Sequence, residues 1–247
     1  MKALILAAGY GRRLQPITNE IPKCMVEVND VPLLVNALNN LTDIGITEIG
    51  IVIGHKAEYI KDKIGFSYRN AKIQYFENEK YLETNNIFSL YKAKDFCNEE
   101  ILLLEADLFY KKSILEQLIQ KTGDCCIMTS DYNTQTMDGT AITVEEDSDK
   151  AESLILGKWQ NKEFDYSKAK KTVNIYKFSK KFVSKYIALI DWFVNNIGVN
   201  SYYETVLGMM LYLKEFDVRI VNVPESKWYE IDDANDLERA RMNASDL

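Results

Sequence analysis

Three stretches of the chain, ALILAA (residues 3–8), IGIVIG (49–54) and ILLLEA (101–106), are apolar at almost every position, and helical spacing follows each. A strand with one wet face alternates apolar and polar side chains. A continuous apolar run instead marks a strand covered on both faces, as in a parallel sheet sandwiched by helices. Residues 2–8, 48–53, 72–76, 100–105 and 125–129 therefore read as strands, and residues 33–44, 57–64, 86–95 and 111–121 as helices. Gly45 is placed to stop the helix before it, and Thr84 or Asn85 to cap the helix at 86. After residue 130 the rhythm changes. Residues 139–145, 153–156, 172–178 and 218–223 read as strands, 180–195 and 202–216 as helices, and 233–242 as a closing helix. EEDSDKAES (145–153) reads as a solvated turn. The expectation is an α/β fold, a Rossmann-like mixed and mostly parallel sheet with helices on both faces, in one domain over 1–247. The polar ending RMNASDL is compatible with a chain that stops there and with one that continues into a further domain.

Ligands of open α/β sheets bind beyond the carboxyl ends of the strands. There the chain reads LILAAGYGRRLQPITNEIPKCM (4–25). Gly9 and Gly11 let the backbone turn sharply and present N–H groups to an anion. Arg13 and Lys23 can neutralise phosphate, Arg as a planar fork and Lys as a point charge. Pro16 fixes local geometry and Thr18 offers one more donor. A dinucleotide-binding turn would need a third small residue where Leu14 stands and an immediate helix, which Pro16 and Pro22 oppose. A Gly-Lys-Ser/Thr phosphate loop is absent.

The net charge of −7 argues against nucleic acid or an anionic membrane as partner, so a small anion must be met by local cations. No apolar stretch approaches the ~18 residues of a membrane span, and no cleavable signal pattern leads the chain. Cys24, Cys97, Cys125 and Cys126 show no metal or redox spacing and read as reduced thiols of a cytoplasmic protein. His55 is the only histidine, which excludes multi-histidine metal sites. It reads either as a loop residue near a nucleobase or as structural.

LAAGYGRRLQPIT…PK resembles the signature of the nucleotidylyltransferases that activate sugar phosphates and small phospho-alcohols. The resemblance implies that the glycine loop, Arg13 and Lys23 embrace the triphosphate of an NTP, and that LLLEADLFY supplies a metal-binding Asp107. KWYEIDDANDLERA supplies the second, Asp232. YLETNNIFSLYKA and the chain length resemble the branch that makes CDP-linked products from phosphocholine or 2-aminoethylphosphonate. Residues 1–130 would then be a nucleotide-binding half and 131–247 an acceptor-binding and closing half.

On that reading CTP and Mg²⁺ are implied, with Arg13, Lys23 and Asp107 as the catalytic set. The nucleotide would meet Leu6 and Ala8 on the first strand, Gly9, Gly11, Gly54, Asn85, Asn86 and Ser89. A hard divalent ion suits two carboxylates plus phosphate oxygens, and an acceptor already anionic near neutral pH needs no general base. Tyr202, Glu204 and Glu230 resemble residues lining the choline pocket of related enzymes, beside Trp228. Lys158, Lys171 and Asn174 could hold the acceptor's phosphonate. Each assignment has a plain structural alternative: a turn for Asp107, a helix cap for Asp232 and for Asn85–Asn86, and core or surface positions for the acceptor residues. The resemblance expects an aromatic wall near residues 130–140, where NTQTMDGTA (133–141) has Met137 and Asp138 instead, which favours a small primary amine over choline. The expected acceptor is 2-aminoethylphosphonate, ahead of phosphocholine and then a sugar 1-phosphate. An NAD-dependent oxidoreductase and an inactive nucleotide sensor are the readings from other classes. The sequence does not fix the oligomeric state; a homodimer is compatible with it.

Overall fold

A computed structural model describes residues 1–244. Residues 245–247, the end of the polar tail, lie outside it. The first half lays down β1 (Lys2–Ala7), β2 (Glu27–Val28), β3 (Val31–Pro32), β4 (Glu48–Ile53), β5 (Ser67–Tyr68), β6 (Ala71–Glu77), β7 (Ile101–Glu105) and β8 (Leu108–Tyr110). Its helices are α1 (Ile17–Glu20), α2 (Leu33–Asp43), α3 (Ala57–Ile64), α4 (Asn86–Lys92) and α5 (Lys112–Gln120). The second half adds β9 (Cys125–Asp131), β10 (Ala141–Val144), β11 (Ala151–Ile155), β12 (Ala169–Phe178), β13 (Val218–Asn222) and β14 (Trp228–Glu230). Helices α6 (Lys180–Asn196), α7 (Tyr203–Leu213) and α8 (Ala234–Asn243) complete it.

Ten strands join in one sheet, in the order β11-β10-β12-β7-β1-β4-β6-β5, with β9 on the other edge of β12 and β13 beside β9. The central strands β7, β1, β4 and β6 are parallel. β12 runs antiparallel to both β7 and β9 and ties the two halves of the chain together. The mixed, centrally parallel α/β sheet read from the sequence is the one observed. β1 shows why its sequence is continuous: Leu4 and Leu6 pack with Ile87, Phe182 and Tyr186 on one face, while Ala3 and Ile5 pack with Leu38, Ile60 and Ile114 on the other. Boundaries differ where local caps decide. The helix expected to reach residue 95 stops at Lys92 and gives way to a 3-10 turn. The one expected to reach 216 ends at Leu213, because Lys214 turns into the left-handed region (φ 54°). All four cysteines are buried free thiols. Among the described residues no helix is long and apolar enough to cross a membrane.

Two details position the functional residues. First, β8 and β14 form an antiparallel ribbon that the sequence reading lacks, pairing Glu230 with Leu108. One step further, Ile231 N–H donates to the Asp107 carbonyl at 2.9 Å. A small apolar cluster of Leu14, Phe109, Ile231 and Leu237 locks the glycine loop, this ribbon and α8 together. Second, β12 bulges against β9: Thr172 faces Thr129 and Tyr176 faces Ile127, four steps against two. Asn174 sits in the bulge with φ 58°, a conformation that asparagine tolerates better than most residues. Bulges of this kind re-aim side chains.

The cap of α8 is Asp233, not Asp232. Its side chain accepts from the N–H groups of Asn235 and Asp236, and Asp236 reaches back in a capping box. Asp232 is thereby free to face the site. Asp233→Ala should lower stability by about 1 kcal/mol in urea unfolding, and a change indistinguishable from zero would show the box to be idle.

Candidate active site

The chain leaves β1 through Ala8 and turns at Gly11, whose φ is 71°. A Cβ there would stand 2.9 Å from Lys23 Cβ and 3.0 Å from Thr18 Cγ2, so only glycine fits without displacement. A Cβ at Gly9 would meet nothing within 4 Å. Thr18 is not available to a ligand: it is fully buried, and its hydroxyl donates to the Gly11 carbonyl at 2.8 Å, closing the loop.

Three distant segments meet beside this loop. Lys23 Nζ donates to Asp107 Oδ2 at 2.8 Å and to Asp232 Oδ1 at 2.7 Å. Arg13 Nη2 lies 2.9 Å from Asp232 Oδ2. Burial works against the Lys23 ammonium, but the Asp107 and Asp232 carboxylates outweigh it and hold its pKa above the ordinary lysine value. Asp232 is the counterpart: burial would raise its pKa, yet Lys23 and Arg13 together hold it below the usual carboxylate range. Asp107 Oδ1 is buried and has no hydrogen-bond partner among the described residues.

Two cavities open from this cluster and share Arg13, Asn86, Glu105, Asp107 and Asp232. The first encloses about 310 Å³. Leu6, Ala8, Gly9 and Gly11 line it from β1 and its loop, with Lys23, and Asn85, Asn86 and Ser89 line it from the start of α4. Gly54 does not line this cavity. A Cβ there would clash with the Ala8 carbonyl and Tyr81 Cβ, both 2.9 Å away, so this glycine serves close packing behind the wall. Asn78, Tyr81 and Thr84 also line the cavity, though the sequence reading does not include them. Asn78 is buried and donates to Thr84 and Ser89, and its place directly after β6 is the signal that points to it. Asn85 caps α4 with its side chain. His55 lies behind the wall, with its ring 4.4 Å from that of Tyr10 and Nε2 3.3 Å from the Thr18 carbonyl.

The second cavity, about 820 Å³, brings together Tyr202, Glu204, Glu230, Lys158 and Asn174. Their commitments differ from the sequence reading. Lys171, 1% exposed, pairs with Glu230 at 3.0 Å and donates to the Thr172 carbonyl. Asn174 donates to Glu230 at 3.1 Å while its own oxygen accepts from Thr172 and Tyr176. Both side chains hold Glu230 and are not free for a phosphonate. Lys158 stands over the rings of Trp159 and Tyr202. Trp228 is buried in the core and does not line this cavity. The aromatic wall not found in residues 133–141 is present one residue earlier: Tyr132 lines the cavity with Tyr166, their ring centroids 4.7 Å apart.

A family model described as nucleotidyl transferase matches residues 2–165. The chain is 26% identical over 246 residues to the CMP-5'-(3-aminopropyl)phosphonate synthase of Streptomyces rubellomurinus, covering 99% of this chain but only 39% of that protein. It is 29% identical to the CTP:phosphoglutamine cytidylyltransferase of Campylobacter jejuni, covering 96% of this chain and 98% of that one. The solved CTP:phosphocholine cytidylyltransferase of Streptococcus pneumoniae superposes with a TM-score of 0.77 at 26% identity, over 98% of this chain and 97% of that chain.

Glu204 is 4% exposed, and burial pushes its pKa up to about 7 against the ordinary 4.5, with Asn86 and Lys171 opposing and Glu230 reinforcing the rise. A raised acid pKa favours the protonated folded state. Stability is therefore present below the unfolded pKa and lost as pH rises from about 4.5 through about 7. Glu204→Gln removes that loss. Its stability relative to the parent should rise by up to about 3 kcal/mol between pH 5 and pH 8 in denaturant titrations, and a pH-independent difference would contradict the assignment.

Proposed function

The chain belongs to the nucleotidyl transferase family, and on that premise we propose that it transfers CMP from CTP to a small acceptor bearing a phosphonate or phosphate and an amine, with 2-aminoethylphosphonate the first candidate. The observation that carries this reading is the meeting of Arg13, Lys23, Asp107 and Asp232 where the two cavities join. A cytidine nucleotide is supported by the names of the three relatives, two naming CTP and one CMP, and the phosphonate by that of the Streptomyces enzyme.

The chemistry follows from charge. An acceptor oxygen attacks the α-phosphorus, the bond to the bridging oxygen breaks, and pyrophosphate leaves with that electron pair. The acceptor is already an anion, so no residue need remove a proton. The obstacle is repulsion between two anions, and preorganised positive charge meets it. Backbone N–H groups of the Gly9–Gly11 turn would cradle the phosphates. Arg13 and Lys23 would neutralise the charge that develops on the leaving pyrophosphate. Glu204 faces the acceptor side and would hold its amine.

Asp107 and Asp232 would also hold Mg²⁺. The donor set fits: magnesium takes one or two protein carboxylates and completes its shell with phosphate oxygens and water, and Asp107 Oδ1 lacks any other partner among the described residues. When bound, such an ion would screen the charge between acceptor and α-phosphate. A second reading, phosphocholine as acceptor, has the Tyr132–Tyr166 pair in its favour, since aromatic faces suit a quaternary ammonium.

A pyrophosphate-release screen of four NTPs against phosphonates, phospho-alcohols and sugar 1-phosphates tests the proposal. CTP with an amine-bearing acceptor should give the highest rate, whereas CTP binding without release under every pairing would point to a nucleotide sensor. Lys23→Met should reduce kcat by about 100-fold or more, and Asp107→Ala should remove turnover dependent on a divalent ion while leaving the circular dichroism spectrum intact. Normal turnover in either variant would refute its role.

A further inference from the structure

Within the second cavity one pair of carboxylates is left without a cation. Glu105 ends β7 and Glu204 opens α7, and a single amide joins them: Asn86 Nδ2 lies 3.2 Å from Glu105 Oε1 and 3.5 Å from Glu204 Oε2. That amide is held in orientation by Tyr203, whose N–H donates to Asn86 Oδ1 at 3.0 Å. The Tyr203 hydroxyl donates to Glu105 Oε1 as well, at 2.8 Å. Both donors to Glu105 therefore fall on the same oxygen. Among the described residues Glu105 Oε2 has no side-chain donor, and neither glutamate has a lysine or arginine within ion-pair distance. The nearby buried cation, Lys171, is taken by Glu230.

Buried carboxylates without a cation are costly, and a cation that donates hydrogen bonds relieves the cost best. Of the aromatic faces of the cavity, Tyr202 already has the Lys158 ammonium 5.9 Å from its ring centre, which leaves the Tyr132–Tyr166 pair as the surface a quaternary ammonium would use. We infer that Glu105 and Glu204 form a seat for a primary ammonium, and that this chain selects its acceptor by the N–H groups on the acceptor nitrogen. The inference rests on the amine-bearing acceptor proposed above. It adds Glu105 as a specificity-determining residue. It also separates a primary amine, with three N–H donors, from a trimethylammonium group, which has none and needs the aromatic faces instead.

The test is a methylation series: phosphoethanolamine and its N-methyl, N,N-dimethyl and N,N,N-trimethyl forms as acceptors with saturating CTP. In the parent protein kcat/KM should fall along the series, by roughly tenfold or more from first to last, the worth of a hydrogen bond to a charged group. Glu105→Gln should raise the KM of phosphoethanolamine and narrow its advantage over phosphocholine, by more than any change in the KM for CTP, since Glu105 also borders the nucleotide cavity. The parent series needs no variant, so it stands even if Glu105→Gln folds poorly. Turnover that holds level or rises with methylation overturns the primary-amine seat and leaves the amine-acceptor reading intact. A Glu105→Gln variant that loses all four acceptors in equal proportion removes Glu105 from selection. Release with sugar 1-phosphates but with none of the four amines removes the acceptor reading itself, and this inference with it.

Discussion

Lys23 held between Asp107 and Asp232 is the contact on which the site depends, because it joins charged side chains from three segments far apart in the chain. Burying charge is expensive, and an apolar trio of the same shape would often be at least as stable. The fold nonetheless assembles the ion cluster with three separate devices. The β8–β14 ribbon sets Asp107 and the Ile231–Asp232 step side by side. Gly11 lets the loop close directly on Lys23. Leu14, Phe109 and Ile231, each within two residues of a charged member, pack into one apolar cluster. Leu14 and Ile231 are buried immediately beside Arg13 and Asp232, so hydrophobic packing fixes where the charges point.

The two cavities then divide the electrostatic work. The chain as a whole is acidic, so attraction of an anionic nucleotide is local, confined to Arg13, Lys23 and the backbone of the glycine turn. The second cavity adds Glu204 and Glu230 to Glu105, which borders both cavities, and Lys171 compensates Glu230. Such a lining favours an acceptor with a cationic end. An acceptor with phosphonate at one end and amine at the other matches both sides of the junction.

Much of the fold was legible because the central strands are covered on both faces, and a continuous apolar run as short as ALILAA, closed by a glycine turn, suits a doubly covered strand far better than a helix. The glycine loop was legible for a different reason: two glycines, two prolines and spaced cations have conformational and charge consequences whatever surrounds them. Asp107 and Asp232 were reachable only through resemblance, since a single aspartate after a strand or before a helix has many uses. Strands of three residues, such as β8 and β14, are too short to show a period. The partners of Lys171 and Asn174 could not be read because they depend on a bulge in β12, which no periodicity reports. Tyr132 lies within residues 130–140, where the resemblance places an aromatic wall, but it is recognisable as one only when the fold sets Tyr166 against it. Gly54 looked like a backbone approach to a ligand and proved to be a backbone approach to Ala8 and Tyr81.

The most direct measurement is a crystal structure of the protein with CTP. The account predicts the triphosphate against the Gly9–Arg13 turn, within hydrogen-bond reach of Lys23, and the base in the cavity bounded by Tyr81 and the start of α4. A nucleotide seated in the glutamate-lined cavity, or away from the glycine turn altogether, would contradict it.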